Sequence, residues 1–543
     1  MSRPTPLRIV LVGYGPVGSR FIEELLPAVV DGTITLTVVG SEPADAYNRV
    51  LVAEYAVGHT DREALTISDR AAIEAAGVRV VTGMTATGID RDTRTVVLAT
   101  GETLPYDRLV LATGARANVP TLDGVARVRR DLSTLLKHGS SLVGVDDALP
   151  DGITVLRDLG DAETVAGAVL AGRRIVVLGA GVLGLEIALA AARAGAEVAV
   201  VHHGGYPMPR NLDRGGGTVL KAALRAAGVT VVENSRAEAV SFHSDVLGER
   251  RFDALITADG KQIRGDLLLL SCGVSARSEL ATLAGLRTGA GVLVDRGLSS
   301  WTDPSVFAIG DCAHVVDRTP ESEALTVLPG GPSGLIGPGW RQAVWLAAHF
   351  RAELAGTAVE TKIAEERAAL VMLKAEGVDV VATGDVSAEP WDVDHDASAD
   401  AAGVRRVAQW ADPENGSYVK MVSRGGILTA FVAVGMPRTA SELTLLFERG
   451  DELPADRSVL LRFDGPDYEP ESAADQFAPA STVCWCNGVT VAHIADSAAC
   501  GNTTVSCIGK DTRAGTGCGG CKNRIAELLT HLESADGAQS PSR

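Results

Sequence analysis

Residues 7–18 read LRIVLVGYGPVG, and residues 173–184 read RRIVVLGAGVLG. In each stretch a short apolar run meets three glycines, Gly13, Gly15 and Gly18 in the first and Gly179, Gly181 and Gly184 in the second, and a helical stretch follows. A lone G-x-G-x-x-G is weak; its place between a strand and a helix is the context the chemistry needs. The first glycine makes the tight turn, and the second lets backbone N–H groups approach a pyrophosphate. The third lets helix and strand pack closely, with the anion at the helix N-terminus. Two such copies predict two dinucleotide sites on two Rossmann-like units.

Outward from these copies, apolar strand-like runs alternate with Ala-rich helical stretches, which favours α/β units with parallel sheets. At 543 residues the chain exceeds one core and is expected to hold several domains. From about Lys362 to Val434 the pattern changes to alternating runs, Val378–Thr383, Ser417–Val422 and Ile427–Val434. These predict an antiparallel sheet with one wet face. The segment Arg462–Ser481, rich in Pro, Asp, Glu and Ser, reads as a linker, and a disordered tail is expected after Glu533.

The formal net charge of −18 argues against tracking nucleic acid or an anionic membrane surface. The run Leu7–Val12 is too short for a signal-peptide core and leads straight into glycines. The apolar stretch Ile175–Ala192 is interrupted by Gly179, Gly181, Gly184 and Glu186, which fits a buried strand, turn and helix better than a membrane span. A soluble, cytoplasmic protein is expected, with no nucleic acid and no membrane among its partners.

The first copy is followed by a strand, Ile34–Val39, ending near Glu42, where an acid can bind a ribose hydroxyl. Farther on stand YDRLVLATGA at 106–115 and TDPSVFAIGDCA at 302–313. With these segments the sequence resembles the flavoprotein reductases that bind two dinucleotides. The resemblance covers about residues 7–350. It implies that Gly13, Gly15, Pro16, Gly18, Glu42 and Arg49 hold FAD, together with Ala112-Thr113-Gly114 and Gly310-Asp311. It assigns NAD(P)H to Gly179, Gly181, Val182, Leu183, Gly184, Glu186, His202 and Gly273. Glu42-Pro43 before Tyr47-Asn48-Arg49-Val50-Leu51 is similar to the nitrite reductase large-subunit and assimilatory nitrate reductase electron-transfer type. So are His202 before Arg210, Leu212 and Asp213, and Asp412-Pro413, Gly416 and Tyr418-Val419-Lys420. A full nitrite reductase large subunit carries a sirohaem and [4Fe–4S] domain with further cysteines. This sequence stops before one, so nitrite reduction by this chain alone is not expected.

Six of eight cysteines fall at 484, 486, 500, 507, 518 and 521. Cys484-Trp-Cys486 and Cys518-Gly-Gly-Cys521 form two close pairs, a set that suits zinc or a [2Fe–2S] cluster. Gly-rich residues 513–521 open a helix expected over Lys522 to about Leu532, whose N-terminus can stabilise thiolates. CxCN, Val489-Thr490, the Ala-Gly-Thr-Gly run and CGGCK resemble bacterioferritin-associated ferredoxin domains, a small helical fold. The resemblance makes Cys484, Cys486, Cys518 and Cys521 the ligands of a [2Fe–2S] cluster. Cys500 and Cys507 are expected to be buried, inert thiols.

The expected organisation is therefore an FAD-binding domain from 1–150 and 275–355 and an NAD(P)H-binding domain at 151–274. An α+β domain at 360–460, a linker at 461–482 and the cluster domain at 483–535 complete it. Nicotinamide gives a hydride and the cluster takes single electrons, so flavin must convert between them. Beyond the cofactors no catalytic side chain is assigned, and His314 reads as structural. A disulfide reductase would need a cysteine near Tyr47–Leu51, where there is none, and neither Cys272 nor Cys312 belongs to a CxxC. The partner is expected to be a nitrate reductase catalytic subunit or another electron-acceptor protein. A general ferredoxin or rubredoxin reductase, or a non-catalytic redox sensor or docking protein, are the alternatives. The strand Glu197–Val201 ends in His202-His203 instead of an acid, with Arg210 beyond, which tilts the nucleotide preference to NADPH with either accepted.

Overall fold

The first glycine copy sits where its sequence places it. Leu7–Val12 is the central strand of a five-stranded parallel sheet in the order Val306–Ala308, Arg108–Leu111, Leu7–Val12, Ile34–Val39, Arg79–Val81. The helix Pro16–Val30 follows it directly, with Gly15 at its N-cap and Pro16 in its first turn. This computed structural model describes residues 5–125, 149–244, 250–358, 360–366, 368–375, 377–392, 404–464, 477–479, 481–484, 487–517 and 519–538. The strand at Val306–Ala308 arrives from nearly two hundred residues downstream. The helix Ile336–Ala355 then lies along Pro16–Val30, where Phe350 meets Phe21 edge-on at 6.1 Å and Phe307 at 4.9 Å between ring centroids.

The second copy repeats the arrangement. Ile175–Leu178 is central in a parallel sheet ordered Thr230–Val232, Val198–Val201, Ile175–Leu178, Leu267–Leu270, Ile153–Thr154. The strand is buried at every position, which explains its unbroken apolar run. The apolar stretch Ile175–Ala192 is thus the buried strand, turn and helix expected of it, the helix being Val182–Arg193. Among the described residues no helix is long and apolar enough to cross a membrane. A two-stranded antiparallel pair, Ala115–Ala117 with Val274–Ala276, joins the two units.

The third unit is an antiparallel sheet in the order Val371–Ala375, Val378–Thr383, Ile427–Val434, Ser417–Arg424, Arg405–Asp412. The expected wet face is corrected by the packing. One face of the central strands, with Tyr418, Val422, Ala430 and Val432, joins the core of the second unit. The other, with Val419, Met421, Phe431 and Ala433, lies under the helix Pro437–Arg449. The segment expected as a linker is folded at both ends. Arg457–Asp464 is a 3-10 helix, and the Asp464 carboxylate accepts from Arg438 N at 3.1 Å and Thr439 N at 2.7 Å, capping the helix Pro437–Arg449. Thr482–Cys484 is a strand, and residues 465–476 of that segment lie outside the described residues.

The last unit is small. A hairpin of Thr482–Cys484 and Val489–Thr490 precedes the helices Val491–Ala499, Val505–Thr512 and Lys522–Ala538. Ile494, Ile508, Ile525 and Leu528 form its core. The final helix runs past the expected end near Leu532 to Ala538, so the stretch after Glu533 begins as helix; residues 539–543 lie outside the described residues. Cys500 and Cys507 are exposed, not buried as expected. They fall at a helix cap and in a helix first turn, while Ile494 and Ile508 take the inward positions.

Candidate functional site

Both glycine loops are built by the same close approach of backbone to backbone. A Cβ on Gly13, at φ +123°, would lie 2.1 Å from Ala112 O; one on Gly179, at φ +118°, would lie 2.1 Å from Ser271 O. No other residue type fits either place. Gly18 and Gly184 press on their own loops, where a Cβ would stand 2.2 Å from Gly13 O and 2.7 Å from Gly179 O. The middle glycines are different. A Cβ on Gly181 would meet nothing within 4 Å, and one on Gly15 only Arg49 Nε at 3.8 Å. That open space above a helix N-terminus fits a pyrophosphate, so the residues present suit FAD in the first loop and NAD(P)H in the second.

Around the first loop the expected residues converge. Glu42 accepts from Tyr47 Oη at 2.7 Å and forms an ion pair with Arg49. Burial pushes the Tyr47 hydroxyl pKa up, so it stays a donor. Asp311 is held by Arg157 Nη2 at 3.0 Å, and Gly310 N donates to Gln342 Oε1 at 2.7 Å. Thr113 Oγ1 donates to Arg277 O at 2.6 Å and Gly114 O accepts from Arg277 N at 2.9 Å, which fastens Ala112-Thr113-Gly114 to chain returning from the second unit. Arg157 and Gln342 were not found by sequence reasoning. They stand alone among unremarkable neighbours, and no spacing marks them. His314 is structural as expected: its Nδ1 accepts from Ala290 N at 3.2 Å, which leaves Nε2 to donate to Pro329 O at 2.9 Å.

One cavity of about 2330 Å³ gathers most of these groups. Gly13, Gly15, Pro16, Glu42, Arg49, Ala112, Thr113, Gly114, Arg157, Gly310 and Asp311 line it. So do Val182, Leu183 and Glu186 from the start of the helix that follows the second loop, and Cys484 and Cys521 from the last unit. Gly18, the three glycines of the second loop, Gly179, Gly181 and Gly184, and also His202 and Gly273 do not line it. His202 ends the strand Val198–Val201 and is buried, with neither ring nitrogen hydrogen-bonded, and burial pulls its pKa below the ordinary histidine range. His203 and Arg210 beside it are exposed. Gly273, at φ +81°, would bring a Cβ 3.6 Å from Asn118 Nδ2. Cys272 and Cys312 are free thiols, and burial pushes both pKa values up, Cys272 to about 11, which suits neither to thiolate chemistry.

In the last unit Cys484 and Cys521 are buried and adjacent, while Cys486 and Cys518 lie outside the described residues. The Cys484 thiol is pulled well below the ordinary range by the Cys521 thiol and by the N–H groups of Gly515 and Asn487, against the opposing effect of burial. Asn487 Nδ2 lies 3.7 Å from Cys484 Sγ and donates to Arg513 O at 2.7 Å. Two adjacent sulfurs, one of them among backbone donors, fit an iron–sulfur cluster.

Residues 7–326 match the pyridine nucleotide-disulphide oxidoreductase family, and residues 482–531 match the BFD-like [2Fe-2S] binding domain. The chain is 26% identical over 97% of its length to nitrite reductase [NAD(P)H] of Bacillus subtilis (strain 168), and covers 58% of that protein. It is 25% identical over 97% of its length to the assimilatory nitrate reductase electron transfer subunit of the same organism, and covers 60% of it. The chain thus spans about three fifths of these relatives. Among solved structures, the covalent putidaredoxin reductase–putidaredoxin complex is similar with a TM-score of 0.64 and 22% identity, over 85% of this chain and 97% of that one. FAD and NAD(P)H go with the family, and a [2Fe–2S] cluster with the BFD-like domain. With its two glycine loops built alike and its match over residues 7–326, the chain belongs to the pyridine nucleotide-disulphide oxidoreductase family.

Proposed function

We propose that this chain takes electrons from NAD(P)H onto FAD and delivers them through a [2Fe–2S] cluster, held by Cys484, Cys486, Cys518 and Cys521, to a separate nitrate reductase. The observation that carries this reading is the shared cavity, in which the first glycine loop, Val182 and Leu183 just after the second, and Cys484 and Cys521 face one space. When bound, FAD accepts a hydride and gives up electrons singly. The side chains do the rest. Gly13, Gly15 and Gly18 bring backbone donors to the pyrophosphate. Glu42, set by Tyr47 and Arg49, takes the adenosine ribose, and Asp311, set by Arg157, faces the ribityl chain. Gly179, Gly181 and Gly184 would hold NAD(P)H, and Val182, Leu183 and Glu186 line the cavity shared with the first loop. The domain limits follow the same plan, FAD from 1–150 and 275–355, NAD(P)H from 151–274, and the cluster from 483–535.

The nitrate role is supported by a relative, the assimilatory nitrate reductase electron transfer subunit, matched over 97% of this chain. Cys518→Ala tests the electron order. Flavin bleaching by NAD(P)H should persist, and reduction of one-electron protein acceptors should stop. Bleaching lost in this variant, with FAD still bound, would contradict the order. Reconstitution with a molybdenum nitrate reductase tests the role: rapid reduction of a ferredoxin or rubredoxin without any nitrate reduction would make the chain a general reductase instead.

A further inference from the structure

Tyr47, Asn48 and Arg49 lie where a disulfide reductase of this kind would be expected to carry its redox cysteine. Here the three side chains divide their work. Tyr47 and Arg49 turn to Glu42. Asn48, buried at 2% exposure, turns the other way, to the last unit. Its Nδ2 donates to Thr516 O at 2.7 Å and to Gly517 O at 2.6 Å, and its Oδ1 accepts from Val50 N at 3.0 Å. One side chain thus meets two carbonyls of the loop that runs directly into Cys518, with both of its N–H donors used across a boundary between units and its oxygen tied to its own segment.

A second tie holds the same loop. Arg513, in the left-handed region at φ +65°, pairs with Glu23 Oε2 at 2.8 Å, on the helix that follows the first glycine loop. Its carbonyl accepts from Asn487, the neighbour of Cys486. The two loops that carry Cys486 and Cys518 are therefore fastened, through residues 487 and 513–517, to the two elements that frame the FAD cavity.

We infer that Asn48 is a positioning residue: it clasps Thr516 and Gly517 so that the cluster unit is held in register with the flavin site while an electron passes from one to the other. This rests on the electron order proposed above. An apolar residue at 48 would take this donor from the buried Gly517 carbonyl and the part-buried Thr516 carbonyl, and a carboxylate would repel them. Arg49 and Tyr47 complete the FAD side of the same three-residue stretch, so any shift of this segment is felt by both partners at once.

The test uses the full chain loaded with FAD and cluster. Asn48→Asp keeps an oxygen for Val50 N–H but sets a carboxylate against two carbonyls; Glu23→Gln loosens the second tie without touching Asn48. Hydrogen–deuterium exchange over residues 514–520 is one readout, and the rate of cluster reduction relative to flavin bleaching is the other. The expected result is faster exchange in both variants and relative cluster reduction slowed about tenfold or more in Asn48→Asp. If Asn48→Asp does not load its cofactors, the exchange and rate of Glu23→Gln decide. Wild-type exchange and wild-type relative rates in the variants, in a protein that reduces its own cluster, would overturn the positioning role alone. A wild-type protein whose flavin bleaches while its cluster stays oxidised overturns the electron order, and the positioning role with it.

Discussion

Lys420 Nζ lies 3.0 Å from Asp213 Oδ2, and neither side chain reaches much water. Lys420 belongs to the strand Ser417–Arg424 of the third unit; Asp213 caps the helix Arg214–Ala226 of the second, accepting from Gly216 N at 3.1 Å. The Tyr418 hydroxyl donates to the same carboxylate, and Glu389 Oε1 stands 3.2 Å from the ammonium. The two units are locked by a buried charge network.

Breaking that network on one side should be costly. Lys420→Met leaves Asp213 buried without the ammonium that pairs with it, and a loss of about 3 kcal/mol is expected. Chemical denaturation followed by tryptophan fluorescence measures it, and FAD content after purification should hardly change.

The glycines of the two loops should separate folding from binding. Gly13→Ala sets a methyl group 2.1 Å from Ala112 O, so FAD content should fall to near zero even after reconstitution. Gly181→Ala meets nothing within 4 Å and should fold and bind FAD normally, yet its KM for NAD(P)H should rise roughly tenfold as the methyl occupies phosphate space. Equal effects of the two changes on FAD content would contradict this division.

Asp161 closes the capping box of the helix Leu159–Leu170, accepting from Arg157 N and Asp158 N while Asp158 is the N-cap, and burial raises its pKa to about 6, with Asp158 pushing the same way. The folded chain therefore holds this proton more tightly than the unfolded one. The carboxyl's contribution to stability is greatest at low pH and falls as pH rises from about 4 through about 6. Asp161→Asn, which can still close the box, should lack that component. The difference in melting temperature between wild type and variant should move in favour of the variant as pH rises across that window, and a constant difference would refute it.

Arg210 is exposed beyond the end of the strand Val198–Val201, which is followed by His202 and His203 and not by an acid. Arg210→Ala should lower kcat/KM for NADPH by roughly tenfold and leave that for NADH nearly unchanged, as expected for a guanidinium on a 2′-phosphate. Steady-state kinetics with both nucleotides is the check; equal losses would assign Arg210 to neither.

Backbone geometry was the part of this fold most legible in the sequence. Gly13 and Gly179 announce their turns because glycine alone tolerates them, and the Val and Leu runs before them announce buried parallel strands. What lay hidden was decided by pairing between distant segments. The sequence marks no partner for Lys420; only the packing of Asp213 against it shows a buried cation. Arg157 has no motif, because its partner Asp311 is 154 residues away. Cys500 and Cys507 looked like core thiols since free cysteine is so often buried, but the helix phase puts Ile494 and Ile508 inward instead. Asn48 stands in a motif and accepts from its near neighbour Val50, but nothing local foretells the reach of its amide to the carbonyls of Thr516 and Gly517.

The strand Val306–Ala308 pairs with Arg108–Leu111, and Phe350 closes on Phe21 and Phe307. A ribosome making this chain releases the first glycine loop early but cannot finish the sheet around it until residue 308 has emerged, nor cover its helix until residue 350 has. The second unit lies wholly inside that interval and is contiguous, so its own loop closures are short and come first. The nascent chain therefore completes its nucleotide half while the flavin half still waits for an edge strand. During that wait the exposed edge at Arg108–Leu111 is the point most open to mispairing, and to a chaperone.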